Sequence, residues 1–105
     1  MELEVYWLEF AENKLHDIYD YYSLKANKRV AQKLVKGILD TTIGVEKQPK
    51  IGQIEISLQH RKEEFRYLIF KNYKIIYWIN DEFQRIEIVN VFATKQDPKK
   101  INEME

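Results

Sequence analysis

A chain of 105 residues has room for one hydrophobic core, and its 45% hydrophobic content is too high for a disordered chain. With 32% charged residues, no stretch approaches the roughly 18 apolar residues of a transmembrane helix, and the absence of cysteine excludes disulfides, thiolate zinc sites and a Cys nucleophile. The 17 basic and 17 acidic residues cancel, whereas a dedicated nucleic-acid binder is usually strongly basic.

The cancellation hides an asymmetry. Residues 1–24 hold six acids (Glu2, Glu4, Glu9, Glu12, Asp17, Asp20) against Lys14 alone, about −5. Residues 25–74 hold twelve bases and five acids, about +7, and residues 75–105 hold four bases and six acids, about −2. The basic centre either draws an anionic partner or forms a helix face that pairs with its acidic neighbour. The acidic start, Met1-Glu2-Leu3-Glu4, lacks the basic lead of a signal peptide, so a cytoplasmic protein is expected.

Leu3 to Leu8 alternates as a short opening strand. From Glu9 the period lengthens: Ala11, Leu15, Ile18, Tyr19 and Tyr22 form a helical stripe, with Asn13, Lys14, Asp17 and Asp20 off it. The pattern breaks at Leu24 to Asn27, where Asn27 is placed to cap a second helix over Lys28 to Val45. Gly37 inside that helix costs roughly 1 kcal/mol against alanine, which predicts close approach of the first helix. Gln48 to Gly52 reads as a loop.

Beyond it the period becomes two. Ile54, Ile56 and Leu58 alternate with Glu55, Ser57 and Gln59, the cleanest strand pattern in the chain. Phe65 to Phe70 and Tyr73 to Ile79 are apolar on both faces and read as central strands, joined by a Lys71-Asn72 turn with Asn72 suited to positive φ. Asn80-Asp81-Glu82 turns the chain into a last strand, Arg85 to Phe92. The expected architecture is a two-layer α+β fold: an N-terminal strand and helical hairpin packed on an antiparallel meander. Residues 1–98 form one domain and 99–105 a polar tail. Helices cover only one sheet face, so Tyr67, Tyr73, Tyr77 and Trp78 are too many aromatics for casual exposure. Tyr67, Tyr73 and Trp78, with Lys71, are expected to line a groove that meets a binding partner.

Most enzyme templates fail: phosphate-loop, dinucleotide, serine-hydrolase and zinc-protease motifs are all missing. His16 and His60 have no second histidine at ligand spacing, so no metal or other cofactor is expected. His60-Arg61-Lys62 reads as a solvated loop or a phosphate contact. The remaining candidates are Arg66, Lys71, Lys74 and Lys95, with Tyr73 and Tyr77 near in sequence. Cleavage of RNA by its 2′-hydroxyl needs a base, an acid and cations, which such residues can supply without a metal. A structural ion pair of Arg66 with Glu63-Glu64 explains that arginine equally well.

Four stretches in order resemble the RelE/ParE family of toxins from type II toxin–antitoxin systems, also described as plasmid stabilisation proteins. They are Trp7 with Ala11, Leu15, Ile18 and Tyr22; the Pro49-Lys50-Ile51-Gly52 loop; Phe65 to Ile69 with Tyr73 to Tyr77; and Val91 to Pro98. The resemblance covers residues 3–98 and implies the same helical hairpin on an antiparallel sheet. It implies a cognate antitoxin as partner, contact with operator DNA only through that antitoxin, no membrane, and a homodimer or a hetero-oligomer with the antitoxin. The cellular target it implies is DNA gyrase in the ParE-like branch and ribosome-bound mRNA in the RelE-like branch.

In the cleaving branch the resemblance assigns Arg66, Lys74, Lys95 and Tyr77 as catalytic, for a metal-independent mRNA endoribonuclease. Departures stand out: Lys95 replaces a late arginine, Ala93 a histidine, Lys74 the arginine of a Tyr-Arg pair, and no tyrosine follows Tyr77. Lysine keeps the charge and loses the bidentate fork that suits a phosphorane. The reading therefore favours the ParE-like branch, with the RelE-like nuclease and a non-toxic antitoxin-binding member as alternatives.

Overall fold

The two periodicities of the sequence separate into two layers in a computed structural model that describes residues 3–94. In chain order the elements are β1 (Glu4–Trp7), α1 (Glu9–Lys25), α2 (Lys28–Thr42), β2 (Gln53–Ile54), a 3₁₀ turn (Ile56–Leu58), β3 (Arg66–Phe70), β4 (Tyr73–Asn80) and β5 (Arg85–Ala93). The sheet order is β1-β5-β4-β3-β2. Strands β2 to β5 form the expected antiparallel meander, and β1 joins its far edge parallel to β5. A crossover through both helices makes that parallel pairing possible.

The helices start where their chemistry allows. Glu9 and Glu12 lie in the first turn of α1, where the helix dipole favours acids. Asn27 caps α2 as expected, its Oδ1 accepting from the Val30 N–H at 2.9 Å. The second helix ends at Thr42 rather than Val45, because Ile43 turns extended and Gly44 follows at φ 92°. The packing partner of Gly37 also differs from expectation: a Cβ there would lie 2.0 Å from Cζ of Phe70, on β3, so the close approach is to the sheet and not to α1.

The cleanest alternating segment is not a long strand. Only Gln53 and Ile54 pair with β3, at Tyr67 and Arg66. Oε2 of Glu55 then accepts from the Ser57 N–H at 3.3 Å and its hydroxyl at 2.9 Å, which turns the backbone into the 3₁₀ segment and buries Leu58. Local side-chain bonds of this kind compete with a ladder. In the β3–β4 turn the positive φ belongs to Lys71 (54°), while Asn72 gives its carbonyl to the Thr94 N–H at 2.7 Å.

Both faces of the sheet are covered. Between helices and sheet lie Ala11, Leu15, Ile38, Tyr73, Ile75, Tyr77, Ile86, Ile88 and Val91. On the opposite face Leu58, Phe65, Ile76, Val89 and Phe92 form a second cluster, with Leu8, Phe10, Tyr67 and Trp78 against it. A bulge makes room for it: Ile76 pairs with Asn90 and Tyr77 with Ile88, leaving Val89 as the extra residue. The surplus aromatics thus enter two cores instead of one open face.

The acidic and basic stretches do not neutralise each other. Among the described residues the ion pairs are Lys36–Asp40, Arg66–Glu64, Lys74–Glu55 and Arg85–Glu87, and none joins α1 to α2. No described helix is long and apolar enough to cross a membrane.

Candidate functional site

On the helix side of the sheet, Arg66 and Tyr77 are register partners in β3 and β4, and both reach the 49–52 loop. The Tyr77 hydroxyl donates to the Pro49 carbonyl at 2.7 Å and accepts from the Gly52 N–H at 2.9 Å. Arg66 Nη1 donates to the Gly52 carbonyl at 2.8 Å and the Lys50 carbonyl at 3.3 Å, and Nη2 to Glu64 at 3.0 Å. A Cβ on Gly52 would lie 2.6 Å from that hydroxyl and 2.7 Å from the Tyr67 carbonyl. The Pro-x-x-Gly spacing therefore fits a loop whose two ends meet one buried phenol. Burial raises the pKa of Tyr77, and the Gly52 N–H and Arg66 oppose the rise without reversing it.

The opposite face carries Lys74. Its Nζ contacts Glu55 Oε1 at 2.8 Å and lies 4.2 Å from the Tyr67 ring centroid, while the Tyr67 hydroxyl donates to Gln53 at 2.8 Å. Burial works to raise the pKa of Glu55, but hydrogen bonds from Lys74 and Ser57 overcome it and hold the carboxyl below its ordinary range. Farther along, Glu87 accepts from Trp78 Nε1 at 3.1 Å, Asn80 Nδ2 at 3.0 Å and Arg85 Nε at 2.8 Å. The Arg85 guanidinium stacks between the Tyr6 ring at 4.0 Å and the Phe83 ring at 5.1 Å.

Of the residues assigned to cleavage, the three that are described, Arg66, Lys74 and Tyr77, are not assembled around one point. Arg66 and Tyr77 share a face and a structural task, Lys74 lies on the other face, and Lys95 lies outside the described residues. The groove quartet is divided too. Tyr67 and Trp78 belong to the face opposite the helices, Tyr73 points toward α1, and Lys71 sits in the β3–β4 turn.

Tyr73 lines a cleft of about 440 Å³ with Tyr21, Tyr22, Lys14 and Asp17. Its hydroxyl stands 3.5 Å from that of Tyr22, and burial followed by that neighbour drives its pKa far upward. A second cleft, about 460 Å³, lies between Trp7, His16, Tyr19, Val35 and Leu39. Sequence reasoning missed Glu55 and Glu87 as organising carboxylates. Their only signal was an acid inside an otherwise strand-like run. His16 and His60 are exposed and far apart in the chain.

Two helices laid across one face of a five-stranded sheet, with a Pro-x-x-Gly loop pinned from beneath, define a RelE/ParE-like toxin fold. The family model described as the ParE toxin of the type II toxin–antitoxin system, parDE, matches residues 5–98, and the chain belongs to that family. Its fold is similar to that of the chromosomal ParDE system from P. aeruginosa, with a TM-score of 0.75 at 17% identity over 90% of this chain and 98% of that one. It is also similar to the toxin–antitoxin complex RelBE2 from Mycobacterium tuberculosis, with a TM-score of 0.61 at 16% identity over 89% and 99% of the two chains. A comparison with curated protein sequences finds no match.

Proposed function

We propose that this toxin arrests growth by binding a protein, DNA gyrase, and that a cognate antitoxin neutralises it. The supporting observation is the commitment of its cations: Arg66 serves the 49–52 loop, whereas Lys74 is paired with Glu55 on the other side of the sheet. Transesterification of RNA needs base, acid and cations converging on a single phosphate, and these two cannot share one without refolding. The antitoxin half of the reading is supported by family membership and by the toxin–antitoxin systems whose fold the chain resembles.

Induced expression in a bacterial host tests the target. The expected result is growth arrest with a DNA-damage response, inhibition of gyrase supercoiling by purified protein, and unimpaired translation in a cell-free extract. Lys74→Ala and Lys95→Ala are expected to stay toxic. Translation arrest with cut mRNA, lost in those variants, would identify a RelE-like ribonuclease instead, and normal growth would identify a non-toxic member.

A further inference from the structure

The unneutralised charge of α2 converges on a groove. Lys33 and Lys71 flank a cleft of about 360 Å³ whose floor is Val30, Leu34, Tyr22 and Tyr73, and no acid lines it. Arg29 stands one turn before Lys33 on the same side of the helix. None of these three cations has a carboxylate partner among the described residues, and the one acid of α2, Asp40, is taken by Lys36. Val30 is 41% exposed, so apolar and cationic surface alternate.

Beside this cleft the sheet has an open edge. Strand β2 leaves β3 after Tyr67, so Leu68 to Phe70 has β4 on one side and no strand on the other. The Glu55 N–H bonds the Phe65 carbonyl, and ladder alternation then turns the Tyr67 and Ile69 backbone groups toward the β2 side. Tyr67 meets Gln53 there, whereas Ile69 meets no strand and is 49% exposed.

We infer that the β3 edge and the Lys33–Lys71 cleft together bind an extended peptide segment of a protein partner, one that alternates acidic and apolar side chains. The open backbone pairs with a peptide strand, the cleft takes an apolar side chain, and the flanking cations take the carboxylates. A nucleic acid could use the cations but neither the strand edge nor the aliphatic floor. A second copy of this chain fits poorly, because its described acidic stretch is helix α1. Only the naming of a protein partner rests on the antitoxin reading.

The test is a titration of the full-length, ¹⁵N-labelled protein with short synthetic peptides. One alternates Glu with Val and Leu, one has Lys for every Glu, and one has Ser for every apolar residue; oligo-dT is the nucleic-acid control. The first peptide is expected to shift the amides of Val30, Lys33, Ile69 and Lys71, with affinity falling steeply with salt. Lys33→Glu with Lys71→Glu is expected to weaken it at least about tenfold, and Lys33→Arg with Lys71→Arg to retain it. An unchanged thermal unfolding curve certifies the fold of each variant. Equal binding of the Lys peptide, tighter binding of oligo-dT at the same amides, shifts confined to other residues, or a concentration-dependent dimer covering these amides would each overturn the inference. Gyrase inhibition is read separately, so its failure leaves this result intact.

Discussion

Tyr77, which the resemblance assigned to cleavage, has an architectural task in the fold. A buried phenol that both donates and accepts closes the 49–52 loop, so Tyr77→Phe leaves the Pro49 carbonyl and Gly52 N–H without that partner. The expected loss is about 1–3 kcal/mol of unfolding free energy in urea denaturation. Glu55 sets an acid limb on stability. Its folded pKa is depressed, so its contribution is full above the ordinary glutamate value, near 4.5, and is lost as pH falls through the lower folded value. Glu55→Gln is therefore expected to flatten the stability–pH profile below about pH 4.5. Asn90 acts the other way: it is fully buried and neither side-chain amide atom has a hydrogen-bond partner. Asn90→Leu is expected to raise unfolding free energy by about 1 kcal/mol, read from the same denaturation curves.

At the scale of elements, α2 is held to the sheet by a glycine against a ring. Gly37→Ala gains about 1 kcal/mol of helix propensity but drives a methyl into Phe70, and overpacking of that kind costs roughly 1–3 kcal/mol. Net destabilisation is expected, and in a Phe70→Leu background the same substitution is expected to become neutral or stabilising. A double-mutant cycle by urea denaturation measures that change of sign. The 3₁₀ turn after β2 follows the same logic, since Glu55 captures Ser57 locally and ends the ladder. The β3 edge beyond Tyr67 is open for a different reason: in antiparallel register Leu68 to Phe70 would face the residues before Gln53, and those form the 49–52 loop.

For the whole molecule, β4 and β5 are shared by the cores on both faces of the sheet, so neither core survives loss of the other. A single cooperative transition is expected. Trp7 reports the helix-side core and Trp78 the opposite one, so the single-tryptophan variants Trp7→Phe and Trp78→Phe are expected to give coincident fluorescence melts. Separate midpoints would show two folding units. Zero net charge, which first argued against a polyanion partner, conceals an acidic α1 and a cationic α2 with no ion pair between them among the described residues.

Periodicity and capping chemistry determined both helices, the Asn27 cap and the meander, because those depend on local spacing and on which residues need burial. The toxin-family likeness rested on four motifs in order. Local spacing could not determine which residue fills the space above Gly37, how β1 joins the sheet, or where Arg66, Lys74 and Tyr77 point. Those were decided by register and by hydrogen bonds between residues as far apart in the chain as Pro49 and Tyr77. A one-residue offset along a strand sends a side chain to the opposite face. Arg66 and Lys74, both cations on neighbouring strands, therefore stand on opposite sides of one sheet.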